Sequence, residues 1–212
     1  MDYLLTRPEV DPACVGLTGN SGGGTMTTLL VANDDRFAMA APGCYITSWR
    51  CNAENELPAD AEQQPPWTLG LGMEMSDLLM LHAPKPLILL TQEQDYFDQR
   101  GALETYEKLK HLWKLLGAEE NVEMFTGPRT HGYWQENREA MYGFFNKHAG
   151  VRAPQKEPEL QLEDQQTLWC TKTGQVDELK PATVFDFVRA EAQQLAEKRG
   201  RVEGDALVKA AR

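Results

Sequence analysis

No apolar run in this 212-residue chain approaches the ~18 residues that a membrane-spanning helix requires. The opening residues, Met1-Asp2-Tyr3-Leu4-Leu5, lack the charged and apolar regions of a secretory signal, so no export signal is read there and the compartment stays open. Basic residues are in the minority. Lys and Arg number 21 against 32 Asp and Glu, giving a formal net charge of −11 with no basic stripe. That balance argues against nucleic-acid and anionic-membrane surfaces and for a neutral or small partner. Cysteine is scarce as well: Cys14, Cys44, Cys51 and Cys170 are scattered, with no C-x-x-C pair and no histidine at a ligand spacing. They read as buried thiols, a Cys44–Cys51 bridge being left open, and neither a metal nor a cofactor is expected. Repeats and low-complexity tracts are absent apart from one Pro, Glu and Gln-rich stretch.

What is present is enough apolar content, 42%, for one domain with a core plus an appendage. The most informative stretch is Gly19-Asn20-Ser21-Gly22-Gly23, a serine between glycines at the junction of two apolar segments. Cys14 to Thr18 reads as a buried strand and Thr25 to Val31 as the opening of a helix, which puts Ser21 on a G-x-S-x-G elbow between them. Glycines suit Gly19 and Gly23 because strand and helix pass close together there. The run Gly22 to Gly24 would weaken a helix start by roughly 1 kcal/mol per residue relative to alanine, so close packing or a ligand must account for it. A phosphate loop is disfavoured because Thr25-Met26 stands where Lys followed by Ser or Thr would be needed.

Strand and helix patterns then alternate. Asp2 to Thr6 reads as the tail of a helix, Phe37 to Ala41 as a second strand, and Tyr45 to Trp67, with Pro58, Pro65 and Pro66, as a long polar excursion over the surface. Met75 to His82 reads as a short helix, Leu87 to Leu90 as a strand apolar on both faces, and Ala102 to Leu116 as a helix stopped by Gly117. A fourth strand is expected over Asn121 to Phe125 and a helix over Tyr133 to His148. The fold class is therefore α/β, a mostly parallel sheet flanked by helices over residues 1–150. Residues 151–166 read as a linker, and residues 167–212 as an accessory segment, with a short strand over Leu168 to Thr171 and a helix over Pro181 to Lys198.

In such a sheet, ligand sites form beyond the carboxyl ends of the strands, and three chemistry-bearing residues fall there. Ser21 follows the first strand, Asp95 the third and His131 the fourth. A serine hydroxyl needs a base to take its proton and a third group to orient that base, and the order Ser, Asp, His is the one α/β-hydrolases use. Asp98 and Glu93 compete with Asp95. His82, His111 and His148 compete with His131, but His82 reads as a capping residue, His111 lies mid-helix beside Lys110, and His148 sits at a helix end where a cation suits the dipole. Trp49 and Trp67 are candidates for stacking on a sugar ring or for ordinary packing.

Leu5 to Pro12, the elbow at Gly19 to Gly23, Asp95-Tyr96-Phe97-Asp98 and Thr130-His131-Gly132-Tyr133 together resemble the α/β-hydrolase superfamily, most closely its acetyl-xylan-esterase-like and dipeptidyl-peptidase-like serine hydrolases, over residues 1 to 150. The resemblance implies Ser21 as nucleophile, Asp95 as orienting acid, His131 as general base and then acid, and the Gly22 amide as one half of the oxyanion hole. It implies hydrolysis of carboxylic esters through an acyl-enzyme on Ser21, with acetylated carbohydrate as the substrate class. The alternatives are a prolyl-oligopeptidase-like serine peptidase and a truncated, non-catalytic fragment. Members of the superfamily have several strands before the elbow, so this chain corresponds to the C-terminal portion of the catalytic domain. A missing N-terminal segment or a second copy in a homo-oligomer would then supply the strands and the other oxyanion donor.

Overall fold

The computed structural model describes residues 1–55, 59–199 and the single positions 204, 206 and 209. Pro58 and the other positions of the accessory segment beyond 199 lie outside the described residues. Two compact units are formed, Met1–Pro158 and Glu159–Arg212.

The first unit is built on four parallel strands, β1 (Gly16–Asn20), β2 (Met39–Gly43), β3 (Leu87–Gln94) and β4 (Val122–Thr130), in the spatial order β1-β2-β3-β4. Each strand is followed by helix: α1 (Asp2–Leu5) precedes the sheet, α2 (Gly22–Asn33) joins β1 to β2, α3 (Trp49–Glu54) and α4 (Met75–Met80) lie between β2 and β3, α5 (Gln99–Leu115) joins β3 to β4, and α6 (Gln135–Ala149) follows β4.

The period-2 pleat divides the strand residues between two cores. Ala40, Leu87, Leu89 and Val122 point to one face, where they meet Val31 of α2, Leu79 of α4 and Leu109 and Trp113 of α5. Their neighbours Ala41, Ile88 and Leu90 point to the other, where Met141 and Phe144 of α6 cover them. Each fully buried Leu, Ile or Phe contributes about 1.5–3 kcal/mol through removal from water. β2 and the first six residues of β3 are buried throughout; Leu87–Leu90 reads as a continuous apolar run rather than an alternating one, and the polar Thr91 and Gln92 that follow are buried with it.

Several expectations are corrected. The segment after β2 does not skim the surface: Tyr45, Ile46, Thr47, Ser48 and Trp49 are buried, and Ser48 caps α3 by accepting from the Cys51 N–H at 3.3 Å. Asn52 anchors the following chain by accepting from Ala59 N–H at 2.8 Å, which polar composition does not reveal. Cys14 and Cys170 are exposed, Cys44 and Cys51 are buried, and all four thiols are free. Tyr133 precedes α6 rather than opening it. Residues after Gly150 lie on α6 before leaving it: Arg138 pairs with Glu157 at 2.5 Å and Lys156 with Glu139 at 2.6 Å.

In the second unit a 3-10 turn, Gln165–Leu168, occupies the position just before the expected strand, whose residues form no strand. A second 3-10 turn spans Val176–Leu179, and α7 runs over Val184–Arg199 with Val184, Phe185, Phe187 and Val188 exposed. No described helix is long and apolar enough to cross a membrane.

Candidate active site

Ser21 sits between the last residue of β1 and the first of α2, with φ 57° and ψ −119°. A β-carbon makes that conformation strained, and the surroundings over-determine it. The Ser21 N–H donates to the Gly43 carbonyl at 2.8 Å, and the Ser21 carbonyl accepts the Thr25 N–H at 2.9 Å as the first bond of α2. The turn is tight because there is no side chain at Gly19: a Cβ there would stand 2.5 Å from the Gly23 carbonyl oxygen. Gly23, expected to be crowded in the same way, would carry its own Cβ into open space. The glycine that α2 does need is Gly24, against β2. Gly22 opens the helix, so its N–H has no intrahelical acceptor.

Asp95 and His131 come together at the ends of β3 and β4. The His131 Nδ1 lies 2.9 Å from Asp95 Oδ1, with the Asp95 side chain 2% exposed. A carboxylate only accepts, so Nδ1 carries the proton and Nε2 is left as the basic nitrogen. Asp95 Oδ1 also accepts the Phe97 N–H at 3.1 Å, whereas Oδ2 is buried with no partner. The competing residues have other places. Asp98 caps α5, accepting from Arg100 N–H at 2.8 Å and pairing with the Arg100 guanidinium at 2.6 Å, which holds its carboxyl below the usual range. Glu93 is exposed on β3.

Of the other histidines, His111 is exposed on α5. His82 is 2% exposed, and burial pushes it down to about 4. His148 stacks on Phe144 with ring centroids 4.4 Å apart, and burial followed by the nearby Lys147 lowers its pKa, so the site disfavours the cation that the helix end would favour.

Tyr96 links the two halves of the site. Its ring lies over the His131 imidazole, centroids 4.6 Å apart and planes 37° apart. Burial pushes its phenol up, and the nearby Ser21 side chain partly offsets the rise. The Gly132 carbonyl, directly after His131, is a meeting point of three strand ends: it accepts from Cys44 Sγ at 3.4 Å and from Gln92 Nε2 at 3.4 Å. In the amide orientation that satisfies both neighbours, Asn20 donates to the same carbonyl at 3.2 Å and accepts from the Ser21 N–H at 3.2 Å. Below them Thr18 Oγ1 donates to Ala41 O at 2.8 Å, and the Tyr133 hydroxyl, 2.5 Å away, donates to Thr18. The loop bearing His131 is thus tied to β1, β2 and β3 by side chains, and Asn20 ties it to the elbow.

Cys44, Asn20, Gln92 and Tyr96 were not singled out from the sequence. Cys44 follows β2 directly, so the rule that selected Ser21, Asp95 and His131, position just beyond a strand's carboxyl end, would have selected it too. Among the described residues, Cys44, Asp95 and His131 form a cluster whose ligand-type atoms lie within 4.8 Å of one another. A metal there would have to displace both the thiol proton and the Asp95–His131 bond. Of the two tryptophans, Trp49 is 5% exposed and belongs to the core, whereas Trp67 is 81% exposed with a positive φ of 71°.

A doubly constrained elbow after the first strand, with an acid–imidazole pair beyond the third and fourth, defines an α/β-hydrolase arrangement. The chain matches the model of the prolyl oligopeptidase family over residues 1–151 and belongs to that family. Its fold is similar to that of the methylesterase BT1017, with 29% identity and a TM-score of 0.58 over 69% of this chain and 32% of that one. It is also similar to the glucuronoyl esterase catalytic domain from Hypocrea jecorina, with 17% identity and a TM-score of 0.59 over 80% of this chain and 54% of that one. A carbohydrate esterase family 15 glucuronoyl esterase from Caldicellulosiruptor kristjansonii shares 16% identity at a TM-score of 0.57, over 74% and 49%. The chain spans between about a third and about half the length of these relatives. Comparison with curated proteins gives no match.

Proposed function

We propose that this chain carries the catalytic residues of a serine hydrolase that cleaves carboxylic esters through an acyl-enzyme on Ser21. The observation that carries the reading is the Asp95–His131 hydrogen bond of 2.9 Å beyond the same sheet edge at which Ser21 is held on a strained turn. Ser21 Oγ attacks the ester carbonyl while His131 Nε2 takes its proton, and Asp95 stabilises the resulting imidazolium. The Gly22 N–H supplies one donor to the tetrahedral oxyanion. The oxyanion collapses, the alcohol leaves with the proton from His131, and water, deprotonated by the same imidazole, releases the acid.

Acetylated carbohydrate is the substrate class we assign. The names of the similar structures, a methylesterase and glucuronoyl esterases, support an ester of a sugar and make a uronate methyl ester the comparison to run beside the acetyl ester. The family name favours a second reading, a serine peptidase with the same three residues. Incubation with p-nitrophenyl acetate, acetylated xylo-oligosaccharide, a methyl glucuronate and an aminoacyl-naphthylamide separates them, with Ser21→Ala as control. Turnover of the acetyl esters, lost in the variant, is the expected result. Turnover of the amide alone rejects the esterase reading, and turnover of none, with Ser21 refusing a fluorophosphonate, favours a non-catalytic module.

A further inference from the structure

Cys44 is an unusual residue for its position. It is 1% exposed and holds φ 48°, a left-handed conformation that costs a non-glycine residue energy. Its N–H donates to the Leu90 carbonyl at 2.8 Å, which fixes it in the sheet between the ends of β2 and β3. Its sulfur then reaches the loops on both sides of the acid–imidazole pair. The S–H donates to the Gly132 carbonyl at 3.4 Å, and the same sulfur lies within 4.8 Å of an Asp95 carboxylate oxygen and a His131 ring nitrogen. Asp95 Oδ2 is buried and has no hydrogen-bond partner. A carboxyl oxygen left unpaired in the interior costs stability, so the arrangement calls for a compensating role.

We propose that Cys44 is a positioning residue for the Asp95–His131 pair: its proton holds the Gly132 carbonyl and hence the His131 loop, while its weakly polar thiol, rather than a strong donor, stands beside the Asp95 carboxylate. A thiol is a weak donor, so it draws little of the carboxylate's charge away from the imidazole and from the Phe97 N–H that Asp95 Oδ1 also accepts. Burial pushes the Cys44 thiol up to about 12; the bond to the Gly132 carbonyl opposes the rise and the neighbouring Asp95 adds to it, so the thiol stays neutral and protonated at neutral pH. The titratable groups that face the pair from the surrounding elements are Cys44 after β2 and Tyr96 after β3, whose ring lies over the imidazole.

The inference rests on the reading of His131 as the base, but its test does not use turnover. The titration midpoint of His131 is measured by NMR on histidine-labelled protein, its resonance identified by its loss in His131→Gln. Cys44→Ser places a stronger donor beside the Asp95 carboxylate, and Cys44→Ala opens room for a water that donates there. Either change shares the carboxylate's charge and should lower the midpoint by about half a pH unit or more, because the imidazolium is less well stabilised. A thiol with a merely structural role lowers thermal stability in both variants and leaves the midpoint where it was. An unchanged or raised midpoint in the variants that fold overturns the proposal. If the midpoint falls while Ser21→Ala hydrolyses esters as the native chain does, the positioning holds and the catalytic reading of Ser21 fails.

Discussion

Gly24 lies against Gly43: a Cβ on Gly24 would stand 2.3 Å from the Gly43 carbonyl oxygen and 3.0 Å from Tyr45 Cβ. That carbonyl is also the acceptor for the Ser21 N–H, so the first turn of α2 cannot retreat from β2 without releasing the elbow. Gly24→Ala should therefore destabilise the chain by about 3 kcal/mol or more, since the clash is with backbone that no rotamer change relieves. Gly23→Ala is the contrasting control. Its Cβ meets nothing within 4 Å and it gains helix propensity, so stability should be unchanged or rise by about 1 kcal/mol. Denaturant unfolding of both variants checks the pair.

Ser21 is strained for the sake of its hydroxyl. Ser21→Ala and Ser21→Gly both remove the proposed nucleophile, but only the second relaxes φ 57°, ψ −119°. Ser21→Gly should be more stable than Ser21→Ala by about 1 kcal/mol, the relief of strain exceeding the added freedom of the unfolded chain. Equal unfolding midpoints would show that the turn carries no strain.

Asp95→Asn tests the acid. An amide can present its N–H₂ to Nδ1 and so favour the tautomer with the proton on Nε2, the nitrogen that accepts from Ser21 in the proposed mechanism. The variant should stay folded and lose ~10³–10⁴-fold in kcat with KM little changed. Loss confined to KM would place Asp95 in substrate binding instead.

His82 governs part of the pH dependence of stability. Its folded pKa is pushed down to about 4 by burial, below the value of 6.5 expected in the unfolded chain. Between those values the unfolded chain takes up a proton that the folded one refuses, so stability falls as pH drops from about 6.5 to about 4, by a few kcal/mol in all, with no further change from this group below that window. His82→Gln should flatten the stability profile over that range. Urea midpoints measured from pH 7 to pH 4 in both proteins read the difference.

Much of the fold was legible because both its signals are local. Leu87 to Leu90 is apolar on both faces and could only be a covered strand, and the glycines about Ser21 have no other use in an apolar junction. Strand ends were less legible: β3 continues to Gln94 and β4 to Thr130 through polar residues, because sheet pairing is made by the backbone and needs no apolar side chain, and Thr91 and Gln92 are buried despite their polarity. The Tyr45 to Trp49 segment was misread because its polar neighbours, Asn52 and Gln63, are themselves buried and bonded. Asn52 accepts from Ala59, and Gln63 donates to Thr25 at 3.2 Å. Of the site, the three residues of familiar chemistry could be named from strand ends. The Gly132 carbonyl and its donors could not, since Asn20, Cys44 and Gln92 are brought together only by the order of the strands.

The central claim, that Ser21 is the nucleophile and His131 its base, is tested most directly by active-site labelling. The protein is treated with a fluorophosphonate, digested, and its peptides are weighed. The account predicts one adduct, on the peptide containing Ser21, whose rate of formation falls at least ~10³-fold in His131→Gln. An adduct on another residue, or labelling of Ser21 at the same rate without the imidazole, would contradict it.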